Sequence, residues 1–231
     1  MPFNRHQLIG LLLVLLPAAA AAQSEKPRVL FLGDSVHRQM ISAAAKELND
    51  SVRIEYPKGI SPSNSGEAFE QIDELLGKGE WDLIYFNFGL GDLLHKDPRT
   101  KEIRAMSQAV GGVRVTSPEG YRKNLDAIVE RLKQTDAMLV WAHTTPIVNA
   151  GSTGLFEAGS AAEYNKVAEK VMARHEVPVN DMHAYVMAQF KEEDKHPAYA
   201  QYLKALQNKS PLHKPVVEVI RKLLGLSDEP Q

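Results

Sequence analysis

Gly33-Asp34-Ser35 is the stretch of this chain best suited to chemistry. Val29 to Leu32 is a continuous apolar run, too short for a helix and bounded by Pro27 and Gly33, so it reads as a buried strand. A helical pattern follows Ser35. A serine at such a strand-to-helix turn has its backbone N–H at the positive end of a helix, where a developing oxyanion is stabilised. The bland reading of Asp34 and Ser35 is a helix cap. Nucleophilic catalysis would also need an imidazole within hydrogen-bond reach, a group to orient it, and oxyanion donors.

The chain has eight histidines. His6 falls in the N-terminal apolar segment, His175 ends an amphipathic helix, and His196 lies in a charged stretch. His37 follows the serine on its helix. His95, His143, His183 and His213 remain, and His213 stands immediately before the last helix. Asp181 closes the fifth predicted strand, where it would satisfy the N–H groups at a helix start or, alternatively, orient a histidine. Metal ligation by Asp181 with His183, or by Asp92 with His95, lacks any three-ligand spacing of known type. No glycine-rich phosphate loop or dinucleotide fingerprint occurs, which argues against a flavodoxin-like redox or nucleotide binder and leaves no cofactor implied.

The elements that must hold these residues follow from periodicity. Strands are predicted at Val29 to Leu32, Val52 to Tyr56, Trp81 to Phe88, Ala137 to Ala142 and Val177 to Asp181, with amphipathic helices between them. One helix carries Phe69, Ile72, Leu75 and Leu76 on a face. Another is capped by Thr116 or Ser117, and a capping box is read at Ser160-Ala161-Ala162-Glu163. Short apolar strands alternating with helices give a parallel sheet covered on both faces, with working residues at the carboxyl ends of its strands. Leu93 to Val115 shows no convincing period and reads as a long excursion able to form a lid or substrate wall.

The 231 residues suit one domain, and a formal charge of −2 gives no electrostatic case for nucleic acid. Arg5 and His6 precede an apolar run from Leu8 to Leu16, then Pro17 and the alanines to Ala22. That is the pattern of a secretory signal peptide over residues 1–22, with a domain from 23 to 231 and a secreted or periplasmic address. The apolar core is much shorter than the ~20 residues a spanning helix needs, so no stable membrane insertion is expected after cleavage. The chain has no cysteine, which excludes disulfides and thiolate chemistry.

The Gly-Asp-Ser block on a βαβ chain resembles the SGNH/GDSL hydrolases. The strings Phe86-Asn87-Phe88-Gly89-Leu90-Gly91-Asp92-Leu93, Trp141-Ala142-His143-Thr144-Thr145-Pro146, Tyr164-Asn165-Lys166-Val167-Ala168 and Val179-Asn180-Asp181-Met182-His183-Ala184 look like the later blocks of a secreted bacterial subgroup of that family. The resemblance implies a flavodoxin-like three-layer α/β/α sandwich with a five-stranded parallel sheet. It implies an esterase with Ser35 as nucleophile and His213 as base, acting on small acyl esters, carbohydrate acetyl esters among them. Asp34 belongs to the first block, the family's oxyanion glycine maps onto Gly66, beside which Asn64 and Ser65 could add donors, and its oxyanion asparagine position is Gly91, with Asn87 on the same strand face as a further candidate. Two departures stand out. The family's acid lies two or three residues before the histidine, where this chain has Pro211 and Ser210, and Gly91 replaces an oxyanion asparagine. Losing one oxyanion donor costs ~10²–10³ in rate, and replacing a triad acid by its amide ~10⁴. The competing expectation is therefore a catalytically impaired scaffold that binds a carbohydrate or other ligand.

Overall fold

The computed structural model describes residues 25–147, 153–188 and 212–227, so the signal-peptide reading and positions 210 and 211 lie outside the described residues. Five parallel strands form one sheet: β1 (Arg28–Leu32), β2 (Arg53–Glu55), β3 (Leu83–Phe86), β6 (Met138–Ala142) and β7 (Val179–Asn180). Their order is β2-β1-β3-β6-β7. The order turns back between β1 and β3, and in open parallel sheets that crevice, at the carboxyl ends, is where ligands bind. The fold is the expected flavodoxin-like α/β/α sandwich.

β1 and β3 are buried along nearly their whole length because helices cover both faces. One layer holds α1 (Ser35–Glu47), α6 (Met182–Ala188) and α7 (Lys214–Leu224), packed on Val29, Phe31, Tyr85, Val140 and Ala142. The other holds α2 (Ser65–Glu70), α3 (Ile72–Leu76), α4 (Pro118–Leu132) and α5 (Ser160–Arg174), packed on Leu30, Leu32, Phe86 and Trp141. The split follows from the two-residue side-chain period of a strand. Each fully buried aliphatic side chain contributes roughly 1.5–3 kcal/mol.

Residues 93–115 depart from the sequence reading. They form an antiparallel pair, β4 (His95–Lys96) and β5 (Val113–Arg114), clipped to α5 and to the segment before it. The His95 N–H and Nδ1 both meet the Leu155 carbonyl, at 2.8 and 3.0 Å. Arg114 pairs with Glu157 and with Glu163 (2.9 Å) and lies over the Tyr164 ring, whose hydroxyl donates to the Thr116 carbonyl. Glu163 is thereby committed to Arg114. The capping box is not formed: Gly159, at φ +77°, caps α5, and Ser160 Oγ donates to the Glu157 carbonyl. At α4 the cap is Ser117, whose Oγ accepts from the Gly120 N–H.

Candidate active site

At the end of β1 the chain turns through Gly33 into α1. A Cβ at Gly33 would stand 2.8 Å from the Phe31 ring and 3.4 Å from the Asn87 carbonyl, so the turn needs a residue without one. Asp34 is the N-cap, and its Oδ1 accepts from the Val36 and His37 N–H groups at 2.9 Å each. The Arg38 N–H goes to the Asp34 carbonyl. Ser35 is exposed as the first residue of a 13-residue helix. Neither its hydroxyl nor its N–H has a partner among the described residues, so both face outward from the positive end of the helix.

Asp34 has a second task. The same Oδ1 lies 3.2 Å from His37 Nδ1, while His37 Nε2 lies 3.1 Å from the His143 carbonyl. Burial pushes the Asp34 carboxyl up, but the His37 ring and the two N–H donors outweigh it and hold the carboxyl below its ordinary value. Both His37 nitrogens are thus engaged within the turn, one with the Asp34 carboxylate and one with the His143 carbonyl. The role of Asp34 is to anchor the turn.

The structure does not bring His213 to Ser35. His213 Nε2 lies 2.9 Å from Oε2 of Glu47, the last residue of α1, and Lys214 Nζ joins the same carboxylate at 2.8 Å. Ser35 is the first residue of that helix. Twelve helical steps place the two Cα atoms about 18 Å apart. The Glu47 side chain and the hydrogen bond recover less than half of this, so His213 is out of hydrogen-bond reach of Ser35.

The expected oxyanion positions are also engaged elsewhere. The Gly66 N–H donates to Asn64 Oδ1 at 2.9 Å, as part of the α2 cap. Asn87, fully buried after β3, gives its Nδ2 to the Ala142 carbonyl at 2.8 Å and to Thr144 Oγ1 at 3.3 Å. Its Nδ2 ties β3 to β6, and its Oδ1 is buried with no hydrogen-bond partner among the described residues. Gly91 packs against backbone: a Cβ there would fall 1.5 Å from the Ser63 carbonyl oxygen. Asp92 beside it is buried and accepts from Ser65 N–H (3.0 Å) and Ser65 Oγ (2.6 Å), which fixes the start of α2. Burial pushes its carboxyl up despite these donors.

Asp181 does orient a histidine at the strand ends, and that histidine is His143 and not His213. His143 Nδ1 lies 2.9 Å from Asp181 Oδ1, joining the carboxyl ends of β6 and β7. Its Nε2 is buried without a hydrogen bond among the described residues, and Glu169 Oε1 is 3.5 Å away. A carboxylate-oriented imidazole is what a base requires, but this one is turned away from the serine. His143 follows Trp141 on the face covered by α4 and α5, and α1 lies on the other. Two adjacent strand ends, each with one half of the pair, were the available signal. Asp181 also accepts from the Ala184 N–H at 2.9 Å, the capping role read from sequence. No group of three metal-ligating side chains occurs among the described residues.

No protein-family profile matches the chain, and no curated protein sequence matches it. Solved structures do. The lipase/acylhydrolase from Enterococcus faecalis superposes with a TM-score of 0.58 at 15% identity, over 89% of this chain and 100% of that one. A variant of the acetyl-xylooligosaccharide esterase Axe2 from Geobacillus Stearmophilus gives 0.60 at 13% identity, over 89% and 97%. A GDSL-like lipase from Bacteroides thetaiotaomicron gives 0.57 at 13% identity, over 84% and 88%. The chain has the fold of the GDSL/SGNH hydrolases.

Proposed function

We propose that this chain, built on the SGNH scaffold, hydrolyses small acyl esters, carbohydrate acetyl esters included, with Ser35 as nucleophile. One observation carries the reading. Ser35 presents a hydroxyl and an N–H unpaired among the described residues at the positive end of α1, at the carboxyl end of the interior strand β1. The likeness to lipases, acylhydrolases and an acetyl-xylooligosaccharide esterase supports the reaction class. In the proposed cycle Ser35 Oγ attacks the ester carbonyl, and its proton passes to an imidazole and then to the leaving alcohol. The Ser35 N–H holds the oxyanion, and water cleaves the acyl-enzyme. The family resemblance assigns the imidazole to His213, but that residue stands beside Glu47 at the opposite end of α1, so a rearrangement of that end and not a side-chain swap would have to bring it to Ser35.

A second reading is a non-catalytic binder of a glycan or acyl ligand. It is favoured by the His213–Glu47 pair and by the capped Gly66 N–H. Labelling by a fluorophosphonate, together with short aryl ester hydrolysis by the protein and Ser35→Ala, separates the two. Stoichiometric labelling at Ser35 with turnover lost in Ser35→Ala supports the esterase. Equal background rates and no labelling leave the binder.

A further inference from the structure

Arg38 shares a face of α1 with Ser35. Side chains three apart on a helix are neighbours, with Cβ atoms about 5–6 Å apart, and both residues are exposed. The Arg38 guanidinium lies over the Tyr56 ring, 5.1 Å from its centroid. Tyr56 is itself held: its ring meets Phe31 edge-on at 5.5 Å, and its hydroxyl lies 3.4 Å from Ser42 Oγ. Arg28, Arg114 and Arg122 each hold a carboxylate, whereas no carboxylate among the described residues lies within ion-pair distance of Arg38. Arg38 also borders a small void of about 10 Å³ beside Gly33, Ser61 and Phe88, room for a single water. Arg38 is therefore an exposed cation oriented by Tyr56, without a counter-charge among the described residues, one helical turn from Ser35.

We propose that Arg38 is a specificity-determining residue that receives a carboxylate on the substrate, so that the preferred esters are anionic. Their free carboxylate lies a short spacer from the ester, on the acyl or the alcohol side. This rests on the ester-hydrolase reading for its catalytic meaning, while the anion site itself stands on the placement of Arg38. A guanidinium fixed on an aromatic face keeps its donor fork oriented, which suits bidentate contact with a planar carboxylate.

The test compares 4-nitrophenyl butyrate with 4-nitrophenyl hemisuccinate, whose acyl chain ends in a carboxylate. The full chain, Arg38→Gln and Arg38→Lys are assayed. In Arg38→Gln the anionic-to-neutral ratio of kcat/KM falls by about tenfold or more, chiefly through KM, because a charge-assisted contact is lost. Arg38→Lys recovers part of it. Added salt lowers the ratio for the unsubstituted chain and leaves Arg38→Gln nearly unmoved. An unchanged ratio in Arg38→Gln overturns the proposal. If no ester is turned over, the hydrolase reading falls, and calorimetric titration of Ser35→Ala with succinamate then decides the anion site. Binding that Arg38→Gln abolishes upholds it; no binding, or equal binding in both, overturns it.

Discussion

Replacing Asp34 by alanine tests whether the serine turn is held as described. The carboxylate caps two helix N–H groups and faces the buried His37 ring. Removing an N-cap costs about 0.5–2 kcal/mol, and leaving a buried ring nitrogen without its acceptor about 1–3 kcal/mol. A loss of about 3 kcal/mol is expected, which at ~2–4 °C per kcal/mol for a chain of this size lowers Tm by roughly 6–12 °C. Asparagine keeps a capping oxygen and should cost about 1 kcal/mol. The sign of the pH effect follows from the same contacts. The Asp34 carboxyl sits below its ordinary value of 3.8 in the folded chain, so the unfolded chain takes up the proton first as pH falls. Its stabilisation is full above that ordinary value and drains away as pH drops through the folded one. Urea unfolding at neutral pH and in mild acid, for the unsubstituted chain and both variants, measures this. A neutral-pH loss under ~1 kcal/mol in Asp34→Ala, or an acid slope that Asp34→Ala leaves unchanged, would refute the reasoning.

Three further outcomes are expected. Gly91→Asn, which restores the residue type found at that position in the resembled family, should destabilise the chain by ~2 kcal/mol or more in urea titration and bring no gain in ester turnover, because its Cβ collides with the Ser63 carbonyl. Arg114→Met should free the β4–β5 pair: amide exchange at His95 and Val115 speeds up, while the β1 and β3 amides stay protected. Burial pushes the His183 imidazole below 6.5, with Asp181 opposing and His143 adding to the shift. The unfolded chain therefore binds the proton first and stability declines as pH falls below that value; His183→Gln should flatten the Tm slope between neutral and mildly acidic pH.

The parallel sheet was legible because each strand is a short apolar run between turn residues, as at Val29 to Leu32. The β4–β5 pair was not, since two residues per strand display no period. The Phe69 to Leu76 face was read as one helix, yet the chain breaks at Gln71 into α2 and α3, which keeps Ile72 and Leu75 inward while Phe69 stays exposed. Glu163 was read as half of a capping box because its spacing from Ser160 is right; a tertiary partner, Arg114, outcompeted that local bond. The site was legible in part. Ser35 stands at a strand end as expected, but the commitment of His213 to Glu47, 166 residues away, leaves no trace in local pattern.

The close approach of Gly91 to Ser63 has an evolutionary consequence. Any side chain at position 91 requires the 61–64 backbone to retreat first, and that backbone is held by the Asn64 cap and by the grip of Asp92 on Ser65. Placing an asparagine there is therefore not one mutational step but a second step contingent on an earlier change in the loop.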